Sequence, residues 1–380
     1  MIKAKLLACV AVCLVLLATA AAAQSADALF KTGLDQFDAK QYEAAIATFR
    51  QYLTLAPNDS SAYYNIGIAS YNLKRYDDAI TALREAIRIK PDYDKAYVQL
   101  GNSYDDTKRY NEAIAAYMKA TEINSGNSQA YFELGVAHYR QKNYSACAQS
   151  FEKSLYIQAD QADANYRLGL CYKGLDRGTD AMRVLERSIA LGYSKGYAQY
   201  ELGSLYYKNK RNTDAIKMFK DAVRYQPEYT DAYVELGKVY NDEDMYPDAI
   251  TAFNQAIRLD PSSEEAYLNL GNSYYNDNKW SDSIQYYRKA TELSPKWKTA
   301  WSYLGDAYLN TSQWDLALKT FNSTLALDPK DSSAVYGIGI VYIKQNRLDL
   351  AREQKIKLDL LDPDMAAKLA QKIEAATPHQ

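Results

Sequence analysis

Histidine is nearly missing from this chain. Two are present in 380 residues, His379 among the last few positions and His138 inside a helix-like stretch. One internal imidazole cannot build a Ser-His-Asp triad or a histidine-rich metal site, so His138 reads as a half-buried packing residue. Glycine never gathers into a loop that could cradle a phosphate. A dominant charge is also missing: 45 Lys and Arg stand against 47 Asp and Glu, a net charge of -2. The two signs are interspersed, without the basic stripe that nucleic-acid binding calls for. The acidic runs Asp105-Asp106 and Asp242-Glu243-Asp244 fall near helix ends and turns and read as solvated. No catalytic residue, cofactor, metal, nucleic acid or dedicated small-molecule substrate is therefore expected, and the chain is not expected to be an enzyme.

Cysteine is scarce as well, with four copies, two of them in an unusual N-terminal segment. There Lys3 and Lys5 precede an apolar run from Leu6 to Leu17, and Ala21-Ala22-Ala23 offers small residues before Gln24. That layout is a secretory signal, residues 1–23, cut after Ala23. The alternative is an uncleaved membrane anchor, since the apolar stretch is nearly long enough to span. Too few apolar residues precede Cys9, and Val12 before Cys13 is the wrong size, which argues against lipidation. Localisation by this route is periplasmic, or secreted, in a bacterium. Cys147 and Cys171 remain. Export permits a bridge between them; two buried thiols acting as small hydrophobes are the other reading.

What fills the chain is a 34-residue pattern repeated ten times from Ala26 to Met365. The ninth copy shows it as Trp301, Leu304-Gly305, Tyr308, Trp314, Ala317, Phe321 and Pro329. The seventh has Tyr233, Leu236-Gly237, Tyr240, Tyr246, Ala249, Phe253 and Pro261. Apolar and small residues recur three and four apart, which is helical periodicity. In the third copy the spacing predicts one helix over Lys95 to Asp106 and a second over Asn111 to Ile123, each roughly 20 Å long. Glycine takes the eighth position of every copy, from Gly33 to Gly339. Mid-helix glycine costs about 1 kcal/mol against alanine, so a close helix approach must offset it. Repeat ten departs, with Lys355 where others carry Phe, Tyr or Leu. After it, Ala366 to Ala376 reads as an amphipathic capping helix and 377–380 as a frayed tail. Gly174, Gly178, Gly192 and Gly196 loosen repeats five and six, a candidate joint over 174–196. Repeats three and eight, and two and seven, look slightly more alike than other pairs.

This pattern resembles that of the tetratricopeptide repeat family. The resemblance implies an all-α fold: a right-handed superhelix, or α-solenoid, of ten helix-turn-helix repeats with a C-terminal capping helix. In that family the second, fifth, sixth, ninth, twelfth and thirteenth positions face a concave groove. Ten of the 36 tyrosines land there: Tyr64, Tyr71, Tyr139, Tyr166, Tyr197, Tyr200, Tyr207, Tyr275, Tyr303 and Tyr336. Some of these pack on neighbouring helices, and the others are expected to touch a ligand, since tyrosine combines area with a wettable hydroxyl. Phe30, Leu34 and Phe37 join Tyr64, Ile68 and Tyr71 in one apolar patch, and Phe132 with Tyr139 marks a smaller one. The expected contacts also include Tyr200, Tyr207 and Tyr275, and the amides Asn65, Gln99, Asn102, Asn269 and Asn272, which can pair with a peptide backbone. The carboxylate clamp known in some family members is incomplete: Asn65 and Lys95 match it, but Phe30 and Leu34 fill its first pair. The implied function is an exported, non-enzymatic scaffold that holds extended protein segments, such as those of envelope, pilus or polysaccharide-export machinery. The alternative is a self-associating or membrane-anchored spacer, with membrane contact only through an uncleaved signal.

Overall fold

A computed structural model describes residues 25–193 and 196–377. The expected leader over 1–23, positions 378–380 of the expected tail, and two positions of the expected joint lie outside the described residues. The chain divides into two compact units, the first ending at Tyr193 and the second beginning at Ser194. Among the described residues every regular element is a helix, and none is long and apolar enough to cross a membrane.

The first unit holds five helix pairs: α1 (25–38) with α2 (Tyr42–Leu55), α3 (Ser60–Asn72) with α4 (Tyr76–Ile89), α5 (Asp94–Asp106) with α6 (Tyr110–Ile123), α7 (Ser128–Arg140) with α8 (Tyr144–Ile157), and α9 (Ala162–Gly174) with α10 (Gly178–Ala190). Helices α5 and α6 each start one residue before the position expected from spacing. Their buried faces carry Ala96, Leu100, Gly101 and Tyr104 against Ala113, Tyr117 and Ala120. Each turn within a pair is closed by one left-handed residue, Lys40, Lys74, Lys108, Lys142 and Asp176, with φ between 54° and 62°. A non-glycine residue there costs roughly 1–2 kcal/mol. The turn returns helix-capping bonds, such as Lys108 N–H to Asp105 O at 2.9 Å and Arg109 N–H to Tyr104 O at 2.8 Å.

The repeated glycine has a packing cause. A Cβ on Gly135 would sit 2.8 Å from the Phe151 ring, so the second helix of the pair rests directly on the glycine backbone. Gly174 belongs with these and not with the loosened stretch expected from sequence: its Cβ would meet the Tyr144 ring at 2.5 Å. Gly178 has nothing within 4 Å of the same test atom. Cys147 on α8 and Cys171 on α9 are fully buried and joined in a disulfide, with Cα atoms 6.0 Å apart.

The second unit continues with α11 (Tyr197–Lys208) and α12 (Asn212–Tyr225), α13 (Thr230–Asp242) and α14 (Tyr246–Leu259), α15 (Glu264–Asn276) and α16 (Trp280–Leu293), α17 (Lys298–Asn310) and α18 (Trp314–Leu327), α19 (Ser332–Lys344) and α20 (Leu348–Leu361), then α21 (Pro363–Ala376). The capping helix therefore starts at Pro363, ahead of the expected Ala366. Asp362 caps it by accepting from the Met365 N–H at 3.0 Å, and proline suits a first turn that needs no N–H. In repeat ten the space over the recurring glycine is filled from a new direction. A Cβ on Gly339 would meet Leu369 of α21 at 2.5 Å, while Lys355 turns to Asp359 at 2.9 Å. The cap supplies the apolar side chain that Lys355 does not.

Candidate ligand faces on the first helices of the repeats

In each unit the first helix of one repeat touches the first helix of the next, α3 with α5 and α5 with α7, then α11 with α13 and α13 with α15. This row brings the fifth, ninth and twelfth positions of successive repeats to a common face.

In the first unit the expected apolar patch is largely engaged in packing. Phe30 meets Phe49 and Tyr52 with ring centroids 5.6 and 5.0 Å apart, Phe37 meets Tyr42 at 5.5 Å, and Leu34 joins the same cluster. Tyr64 lies 4.9 Å from Tyr93 and Tyr71 5.6 Å from Tyr76. Asn65 and Ile68 are half-buried beside them. Phe132 packs edge-on to Phe151 at 5.4 Å, and the Arg167 guanidinium lies 5.4 Å from its centroid. Tyr139 is more open, with 37% of its surface exposed.

The acids of this face find partners from within, although one oxygen of Asp105, Oδ1, is buried without a hydrogen bond among the described residues. Tyr71 donates its hydroxyl to Asp106 at 2.5 Å, and Arg140 pairs with Asp105. Gln129 donates to Glu133. Burial pushes the carboxyls of Asp105 and Glu133 up, against the pull of Arg140 on both and of Arg167 on Glu133. Asp105 thus departs from the solvated role expected of it, because the inter-repeat seam covers it. The seam recurs in the second unit, where Tyr207 donates to Asp242 at 2.6 Å and Asn310 donates to the Tyr275 hydroxyl at 2.5 Å.

Repeats three and eight share a second device. The Tyr117 hydroxyl donates to Asn102 Oδ1 at 2.8 Å, and Tyr287 does the same to Asn272 at 2.9 Å. Asn102 donates to Gln99 at 3.3 Å and Asn272 to Asn269 at 3.4 Å. Burial holds both phenols well above their ordinary range, so they stay neutral donors. Of the amides expected to meet a peptide, these two have their acceptor already engaged and keep one N–H for a ligand.

In the second unit the face opens into a cleft of about 460 Å³. Asn241, Asn269, Asn272, Tyr275, Tyr303 and Asp306 are among the side chains that line it. Tyr207 and Tyr275 from the expected set lie here, whereas Tyr200 packs between Phe219 and Tyr229 at 5.8 and 4.8 Å. Lys238, at the rim, is held by Glu235 at 2.8 Å and Glu265 at 2.5 Å. Asp306 is half-buried, and among the described residues no side chain bonds to it. Burial alone pushes its carboxyl up to about 6. Sequence reading passed over Asp306, Lys238 and Asn241. The available signal was an acid at the ninth position, next to Gly305, in the slot that holds Asn102 and Asn272.

Tandem helix pairs stacked through a glycine slot, with polar and aromatic groups gathered on one helix row, define a helical-repeat protein. The chain belongs to the tetratricopeptide repeat family. One model of that repeat matches residues 16–60, 30–94, 166–229, 200–244 and 303–360; others match 101–142 and 240–278, 264–296, and 128–161. Such arrays are protein-interaction scaffolds, generally without catalytic activity. Similar solved structures include the C-terminal part of a TPR repeat-containing protein from Cytophaga hutchinsonii, 16% identical, covering 65% of this chain and 100% of that one with a TM-score of 0.55. YrrB, described as a TPR protein with an unusual peptide-binding site, is 23% identical over 50% of this chain and 97% of its own, with a TM-score of 0.46. The pilF protein of Pseudomonas aeruginosa is 20% identical over 55% and 94%, with a TM-score of 0.48. No curated protein matches the chain.

Proposed function

We propose that this chain is an exported scaffold that holds extended segments of partner proteins against the first-helix row of its repeats. The observation that carries this reading is the cleft of the second unit, where polar and aromatic side chains remain accessible after stacking has used the rest of each helix. Stacking consumes the glycine slot, the small residues and the second-helix aromatics. The exposed part of Tyr303 and the carboxyl of Asp306 are left over from that framework, and tyrosine beside amide is chemistry suited to a peptide. Export rests on the N-terminal charge, apolar run and small residues. A role in envelope, pilus or polysaccharide-export assembly is the matching cellular setting.

The test places a photo-crosslinking amino acid at Tyr139 or Tyr303, each 37% exposed on a first helix, and at Tyr156, 87% exposed on the second helix α8. One shared adduct at the first two positions and none at Tyr156 is expected in cells. Adducts at Tyr156 alone would overturn the groove as the binding surface. The intact mass of the periplasmic protein should lack residues 1–23; a full-length mass in the membrane fraction would overturn export by cleavage.

A further inference from the structure

The cleft of the second unit has a chemistry of its own, and resting on the scaffold reading, it can be carried one step further. Two of its polar groups are acceptors without a donor. The Oδ1 of Asn241 is buried and takes no hydrogen bond among the described residues, and its Nδ2 reaches only the Asn269 carbonyl, at 3.4 Å. Asp306 presents a carboxylate that nothing answers. Lys238, the one cation lining the cleft among the described residues, is already held between Glu235 and Glu265, so it does not neutralise Asp306. Asp242 at the other end is engaged by a neutral phenol, Tyr207. The cleft therefore carries negative charge at Asp306, and the donors in its lining, an N–H of Asn272 and the hydroxyls of Tyr275 and Tyr303, are neutral. Its walls are aromatic: the Tyr275 and Tyr303 rings flank it, each packed on the buried Tyr287 ring with centroids 6.4 and 5.8 Å away.

We infer that this cleft receives the guanidinium of an arginine side chain from the bound segment, with Asp306 and Asn241 as acceptors and the Tyr275 and Tyr303 rings as stacking walls. A planar cation with several N–H donors can satisfy two separate acceptors and lie against rings at the same time. A carboxylate ligand would meet Asp306 with like charge, and an apolar side chain would leave both acceptors buried and unpaired. The elevated carboxyl of Asp306 agrees with this, since a cation seated beside it would restore the ionised form. The comparable position five repeats earlier is Val136, so the first unit has no counterpart.

The experiment titrates the full chain, lacking only residues 1–23, with two blocked pentapeptides, Gly-Gly-Arg-Gly-Gly and its citrulline twin, followed by NMR shifts of the tyrosine rings. Citrulline keeps the shape and removes the charge. At least tenfold weaker binding of the citrulline peptide is expected, and Asp306→Asn should erase that difference while leaving the circular dichroism unchanged. A second variant, Tyr303→Leu, should weaken the arginine peptide several-fold with Asp306 intact. Equal binding of the two peptides, or a preference for arginine that survives Asp306→Asn, would overturn the inference. If the arginine peptide does not bind although the groove crosslinks to a partner, this inference fails and the scaffold reading stands.

Discussion

Repeats three and eight are built on one plan and dressed for different ends. Both place asparagine in the ninth position, Asn102 and Asn272, and fasten it with a tyrosine from the second helix, Tyr117 and Tyr287. Around that shared bond the neighbours diverge. Where the first unit has Asp105, Glu133 and Val136, the second has Tyr275, Tyr303 and Asp306. The acids of the first unit find Arg140, Gln129 and Tyr71 within the array. Asp306 finds no one. A repeat frame can thus hold an acid in two ways, closed by its own neighbours or left open to something outside. The first serves the fold and the second works against it, which is a reason to look for function at Asp306.

The sharpest way to break this comparison is to unpair an acid of the first unit. Arg140→Ala would leave Asp105 half-covered and unanswered. Breaking a buried pair costs several kcal/mol, but the Arg140 side chain is 43% exposed, so a discounted loss of about 2–3 kcal/mol is expected. Because repeats contact only their neighbours, it should be read locally, as lost hydrogen-exchange protection in α5 and α7. The loss should shrink on acidification, as the carboxyl of Asp105, already raised by burial, takes up its proton. Unchanged protection at pH 7.5 would show that Arg140 does not stabilise Asp105.

At Asp306 the same kind of change should have the opposite sign. Its carboxyl titrates at about 6 in the folded chain against 3.8 for the unperturbed group. The native state therefore prefers the protonated form. Its contribution to stability is fully present below pH 3.8 and is lost as pH rises through 6. The difference of about two units sets a ceiling of about 3 kcal/mol. Since the amide that replaces the carboxyl would itself keep unpaired polar atoms, a gain of about 1–2 kcal/mol is expected for Asp306→Asn at pH 7.5. By pH 4 that gain should have nearly vanished. Paired urea melts at the two pH values measure it, and a variant no more stable than the parent at pH 7.5 would remove the idea of an unanswered acid.

The frame was far more legible than the dressing. Glycine every 34 positions and the aromatic that follows it fixed the helix pairs within one residue for α5 and α6. The left-handed turn residues were hidden, because Lys, Asp, Asn and Ser stand where glycine would have announced them. Asp105 was misread for a related reason. Its cover comes from Arg140 in the next repeat, and a bond between the twelfth and thirteenth positions of successive repeats depends on how repeats stack. The apolar patch of Phe30, Leu34 and Phe37 looked free in the sequence because Tyr52 and Phe49 could not be placed beside it. Asp306 was visible as an acid in an inward slot but was masked by the denser tyrosine signal around it. A single repeat thus prescribes its own backbone, whereas the chemistry of the cleft arises from side chains of four consecutive repeats.

The smallest effect tests whether the shared tyrosine-asparagine bond is truly equivalent in its two settings. Tyr117→Phe and Tyr287→Phe remove the same hydroxyl from the same kind of amide. The Asn102 acceptor faces a seam crowded with paired acids, so losing its donor should cost about 1 kcal/mol. Asn272 borders the open cleft, and water entering from there can replace the phenol at nearly the same enthalpy. About half that cost, or about 0.5 kcal/mol, is expected at Tyr287. Hydrogen-exchange protection in α5 and α15, compared between the two variants, provides the measurement. If both lose equally, water does not reach Asn272, and the cleft is then too dry and too narrow to admit a partner's side chain beside it.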